Sequence, residues 1–185
     1  MDRNYGQDAM LSLSPAMQAF LQHWGAMGAR WGVNRSVAQV HALLYLVDEP
    51  LPAETIAETL ALARSNVSTA VRELQGFGLV SLEHRPGDRR DFFRAKQDPW
   101  EMVLAIVEER KRREIDPALA TLRACEADAL ADGGATPPGT LARLTAMREL
   151  IEQLDALHGR LRHAPRPVLR RALSLGDRLL RILGR

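Results

Sequence analysis

The chain has 185 residues, 46% hydrophobic and 26% charged, with a net charge of +2, which suffices for one compact domain or a small domain with an oligomerising arm. Its single cysteine, Cys125, excludes an internal disulfide framework and cysteine-rich zinc sites and points to a reducing cytoplasm. The first residues lack the apolar core of a signal peptide, and no later stretch offers the roughly 18 uncharged apolar residues of a membrane span, so a soluble cytoplasmic protein is expected.

Apolar residues recur at helical spacing almost throughout, which predicts a mainly α fold. Ser14-Pro15 caps and opens a first helix, "PAMQAFLQHWGAMGARWG". "SVAQ" at 36 to 39 reads as a capping box that opens a second, ending at "DEP". Two short helices follow within residues 51 to 80: Ile56, Ala57 and Leu60 mark the buried face of one, and Val67, Ala70, Val71 and Leu74 that of the next. Only a tight turn fits in "ALAR" between them. The stretches 79 to 85 and 90 to 96, aromatic and β-branched, read as the one hairpin, joined through Pro86-Gly87, a pair suited to a type II turn.

"DPWE" at 98 to 101 opens a long helix that Pro117 should kink or restart. "DGGATPPG" at 132 to 139 breaks the chain, and residues 140 to 163 resume a leucine-rich helix. The expected organisation is a winged helix-turn-helix domain over 14–97, helical dimerisation over 98–163, and a basic amphipathic helix over 165–185. From His158 onward eight arginines face one aspartate, a net +7, so residues 1 to 157 carry −5. The overall pI of about 9.1 is therefore no argument for nucleic-acid binding, and local placement has to decide.

Two short helices followed directly by a two-stranded ribbon form a winged helix-turn-helix. The second helix turns outward Arg64, Ser65, Asn66, Ser68, Thr69 and Arg72, groups able to reach base edges and phosphates. The ribbon tip, "EHRPGDRRDFFRA", crowds Arg85, Arg89, Arg90 and Arg94 together. Like charges in a loop that buries nothing repel one another, so an outside polyanion is the expected reason for them, with Arg89 and Arg90 reaching a narrow minor groove. Plain solvation of the helix face and of the loop is the alternative.

The stretch "EPLPAETIAETLALARSNVSTAVRELQGFGLVSLEHRPGDRRDFFRA" with the following "DPWEM" resembles the MarR-type winged-helix regulators, and their GbsR-like branch in particular. That resemblance covers about residues 14 to 125. It implies homodimeric DNA-binding transcriptional regulators, usually repressors, some of whose relatives respond to osmoprotectants or to their precursor choline. Ala63-Arg64-Ser65 stands where such proteins have Ser-Lys-Gly, so the usual cap of the recognition helix is missing and Ser65 is expected to replace it.

Apolar positions on the long helices, among them Val103, Leu104, Ile106, Val107, Leu119 and Leu122, and Leu141, Leu144, Met147, Leu150, Ile151 and Leu154, exceed what one small domain buries. They predict a dimer interface shared with the first helix. Phe20, Trp24, Trp31 and Trp100 are candidates for a cage around a quaternary ammonium effector, against a plain core role. The basic tail is expected to dock its leucines on the dimer, with a membrane surface or extra phosphates as alternatives. No nucleophile, metal-ligand spacing or phosphate loop suggests an enzyme, a catalytic centre or a cofactor. A winged-helix module that binds proteins instead of DNA is the competing function, disfavoured by the polar and basic surface of residues 64 to 72 and 85 to 94.

Overall fold

A computed structural model of the protein describes residues 11–162 together with 164, 165, 167, 168, 171 and 175. The chain divides into two compact units, Met1–Glu109 and Arg110–Arg185. The predicted basic helix of residues 165–185 lies almost entirely outside the described residues.

In the first unit the elements run α1 (Pro15–Arg30), α2 (Arg35–Leu46), β1 (Leu51–Pro52), α3 (Ala53–Leu60), α4 (Arg64–Gly76), β2 (Val80–His84), β3 (Asp91–Ala95) and α5 (Pro99–Arg110). Ser14 caps α1 through a hydrogen bond from the Met17 amide, and Asp98 caps α5 by accepting from the amides of Trp100 and Glu101. The second helix departs from expectation. Its cap is Asn34, whose Oδ1 accepts from the Ser36 amide at 2.8 Å, so Ser36 lies inside the helix and is not its capping residue. Asn outranks most residues at this position because its short carbonyl reaches the exposed first-turn amides.

The core gathers on α2. Val40, Leu43 and Leu44 meet Ile56 of α3, Val67 and Leu74 of α4, and Phe93 of β3, all in one buried cluster. Helix α1 approaches α2 so closely that a Cβ on Gly28 would sit 2.6 Å from the Ala38 Cβ, which is why a side chain is missing there. Between α3 and α4 the chain turns through Ala61 at φ +51°. An alanine in the left-handed region costs about 1 kcal/mol, and the Leu62 amide donating to Ala57 O at 2.9 Å closes the turn that requires it.

The sheet has three antiparallel strands in the order β1-β3-β2, one more than the hairpin expected from sequence. Leu51 pairs with Phe93 and Pro52 with Phe92. Two residues are too few to show alternation, and Pro52, having no N–H, ends the ladder at an edge where proline is tolerated. Strands β2 and β3 pair from Val80 with Ala95 to His84 with Asp91. The turn beyond them has the Asp88 amide donating to Arg85 O and Gly87 at φ +82°, as Pro-Gly at its centre demands.

The first turns of α5 belong to this unit, since Met102 is buried in its core and Ala105 and Ile106 pack against it. The division between units therefore falls inside the long helix and not at residue 97.

The second unit begins with a π-helical turn, Lys111–Ile115, followed by α6 (Asp116–Ala131) and α7 (Pro138–Arg162). A widened turn ahead of Pro117 relieves the clash between its ring and the carbonyl four residues back, so the chain restarts a helix without a break. Asp132 closes α6 by accepting from the amides of Gly134, Ala135 and Thr136 and from the Thr136 hydroxyl. Ion pairs link α6, α7 and the π-helical turn. Arg148 joins Glu126 and Glu152, Arg123 joins Glu152, and Lys111 joins Asp116 and Asp155. Hydrogen bonds from Thr145 and Arg148 hold Glu126 below the ordinary carboxylate range, and one from Arg123 does the same for Glu152.

Candidate nucleic-acid interface

Helix α4 has two faces. Val67, Ala70, Val71 and Leu74 are buried, and Arg64, Ser65, Asn66, Ser68, Thr69 and Arg72 are exposed, as their spacing predicts. Its cap position is Ala63, with no side-chain hydrogen bond, and Ser65 lies inside the first turn. Ser65 therefore does not replace the missing cap. The Asn66 and Val67 amides both turn back to Ala63 O, while Arg64 lies 3.7 Å from Glu54 of α3. The uncapped end leaves first-turn amides pointing out along a positive helix terminus.

The wing differs from its sequence reading in one respect that matters. Three of its four arginines are paired, and two of them cover a buried ring. Arg85 Nη2 meets Glu49 Oε2 at 3.0 Å, and its guanidinium lies 4.5 Å from the centre of the Phe92 ring. Arg90 grips Asp88 with Nε and Nη2, at 3.1 and 2.8 Å, and covers the same ring from 5.5 Å. Those hydrogen bonds pull the Asp88 carboxyl down to about 2. Arg94 Nε donates to Glu83 at 2.6 Å and its Nη1 to Asp48 O at 2.7 Å. Phe92 is thus roofed by planar cations, a role that arginine fills by stacking while its charge finds a partner. Among the described residues Arg89 is the wing arginine left exposed without an ion pair.

Residues 31–91 match the model of the MarR family. The HTH-type transcriptional regulator MmpR5 of Mycobacterium tuberculosis (strain ATCC 25618 / H37Rv) is 28% identical over 156 residues, 84% of this chain and 89% of that protein. The HTH-type transcriptional repressor GbsR of Bacillus subtilis (strain 168) is 24% identical over 98 residues, so the match spans about half of each, 53% of this chain and 54% of that one. A crystal structure of a transcriptional regulator superposes with a TM-score of 0.60 at 28% identity, over 80% of this chain and 96% of its own. The chain is similar to MarR-type winged-helix regulators, and residues 31–91 carry the match to that family.

In this chain the four aromatic residues singled out from sequence do not form one cluster. Phe20 and Trp24 stack at 5.2 Å, and their neighbours are two residues of α2 that sequence reasoning missed, Tyr45, 6.4 Å from Phe20, and His41, 6.1 Å from Trp24. Trp31 is the exposed C-cap of α1, and half-buried Trp100 opens α5; neither stacks with the other two. The 3.6-residue period put Trp31 seven positions from Trp24, but the helix ends before that face continues. His41 and Tyr45 carried a signal, being four residues apart on the buried face of α2. Burial in this apolar setting lowers the His41 pKa to about 4, and its Nε2 has no hydrogen-bond partner.

Among the described residues no group of three or more acidic, histidine or cysteine side chains could hold a metal ion, and no helix is long and apolar enough to cross a membrane.

Proposed function

We propose that this regulator is a homodimeric repressor that lays α4 in the major groove of double-stranded DNA and its wing in the adjacent minor groove. One observation carries the reading: the outward face of α4 is polar along its whole N-terminal half, directly over a fully apolar buried face. Short hydroxyls and the Asn66 amide suit base edges, and Arg72 suits a guanine or a phosphate. Arg89 is the cation with which the wing meets the minor groove. Ser65 and the uncapped first turn face the backbone, where an anion is favoured.

The test is fluorescence anisotropy on labelled duplex from upstream of the protein's own gene, against random-sequence competitor. Arg72→Ala should weaken binding by about 1–3 kcal/mol. If the loss is confined to one base of the site, Arg72 reads that base; if it is uniform across sequences, Arg72 holds a phosphate. An unchanged affinity sinks the placement of α4.

For the effector, the observed stack supports Phe20 and Trp24, joined by Tyr45 and His41, as the wall that receives a quaternary ammonium group. With Trp31 and Trp100 changed to Phe, emission comes from Trp24 alone, and choline or betaine should shift it. Emission that stays constant up to saturating choline removes the effector from this wall.

A further inference from the structure

We propose that Glu49 is a built-in competitor for the DNA backbone, holding Arg85 of the wing where a phosphate would otherwise sit; this rests on the DNA-binding reading above. Glu49 lies in the loop between α2 and β1, outside the wing, and its carboxylate closes on Arg85 Nη2 at 3.0 Å. Glu83 and Asp88, which also pair with wing arginines, belong to the hairpin itself.

Two roles are open to such a contact, and the geometry separates them. A brace would hold the wing in place, but the wing is already fixed. β1 pairs with β3, Phe93 is buried in the core, and Arg94 donates to Asp48 O from the neighbouring strand residue. Arg85 itself is already ordered, because its guanidinium rests on the buried ring of Phe92. One more ion pair with a carboxylate that is 78% exposed adds little to that order.

What Glu49 does change is what Arg85 can offer. The carboxylate takes Arg85 Nη2, and a phosphate oxygen approaching that edge of the guanidinium needs the same N–H group. Arg85 can exchange one for the other without leaving Phe92, while Glu49 swings into water. Until then the carboxylate also repels approaching phosphates. Its effect falls on backbone attraction, which is the same for every sequence, and leaves the discrimination by α4 untouched. The regulator thereby trades general DNA affinity for selectivity.

The experiment is a double-mutant cycle of Glu49→Gln and Arg85→Ala, read by anisotropy on a random-sequence duplex across a salt series. Glu49→Gln should tighten binding about three- to fivefold at low salt, the gain fading as salt rises and vanishing when Arg85 is alanine. A gain that persists in Arg85→Ala is loss of general negative charge and overturns the proposal. So does unchanged or weaker binding, which would make Glu49 a brace. A second arm needs no duplex: the Arg85 Nε–H resonance is titrated with inorganic phosphate. It should respond at lower phosphate in Glu49→Gln, and equal responses refute the competition. Protein that binds no duplex yet passes the phosphate arm refutes the DNA reading and leaves the competition standing.

Discussion

If the proposed dimer forms through α7, a chain carrying both Leu150→Glu and Leu154→Glu should sediment as a monomer of 20.6 kDa while the unaltered chain runs at twice that mass, and its DNA affinity should fall by about 10²–10⁴-fold as the second half-site is lost. The expectation comes from α7. Arg148, Glu152 and Asp155 lie on its side toward α6, where they make the ion pairs described above. Leu141, Leu144 and Ile151, half-buried, fall on the same side. On the opposite face Met147, Leu150, Leu154, Leu157 and Leu161 follow one another at alternating steps of three and four, and all are 37–57% exposed. That spacing is the a/d seam of a coiled coil, which has no reason to persist over five positions unless another helix covers it. Glutamates at two neighbouring seam positions place like charges in the covered interface. They cost an isolated protomer nothing, because those leucines are exposed there, so circular dichroism should show undiminished helix content. A double variant that still runs as a dimer places the interface elsewhere.

The parts of this molecule that sequence reveals are those fixed within a few residues of chain. Val67, Ala70, Val71 and Leu74 repeat at helical spacing, so the buried face of α4, and with it the outward face that carries the functional reading, follows from local periodicity. The caps at Ser14 and Asp98 and the turn at Pro86-Gly87 are local in the same way. What escaped depends on distance along the chain. Glu49 stands 36 residues from Arg85, and nothing in either stretch announces the other. As a result the wing looked like a knot of unpaired charge, when Glu49, Glu83 and Asp88 take up three of its arginines and Phe92 lies beneath two of them. Strand β1 escaped because two residues carry no alternation and its pairing partner lies four elements downstream. Trp31 and Trp100 show the limit of composition. Aromatic residues on nearby helix positions suggested one cage, but the end of α1 at Arg30 carries Trp31 out to solvent, and the neighbours that do complete the stack come from α2.

Stability of the DNA-binding unit should fall by about 2 kcal/mol between pH 7 and pH 5, and His41→Leu should flatten that slope. His41 is 3% exposed, and burial lowers its pKa to about 4 from 6.5. In the unfolded chain the imidazole takes up a proton as pH drops through 6.5; in the folded chain it stays neutral until about 4. Between those values the unfolded state binds more protons, so acid favours unfolding. The contribution is complete above pH 6.5 and is lost progressively as pH falls toward 4. Among the described residues no carboxylate compensates, because Nε2 is buried without a hydrogen-bond partner beside the rings of Trp24 and Tyr45. Urea unfolding of the two proteins at both pH values gives the comparison, with leucine filling nearly the same volume. A wild-type slope that survives in His41→Leu would assign the acid sensitivity to other groups. The consequence reaches the DNA-reading face, since α2 is the element against which α4 packs its buried side. A histidine placed in that helix therefore ties the platform beneath Asn66 and Arg72 to a pH above the range in which the imidazole would be charged.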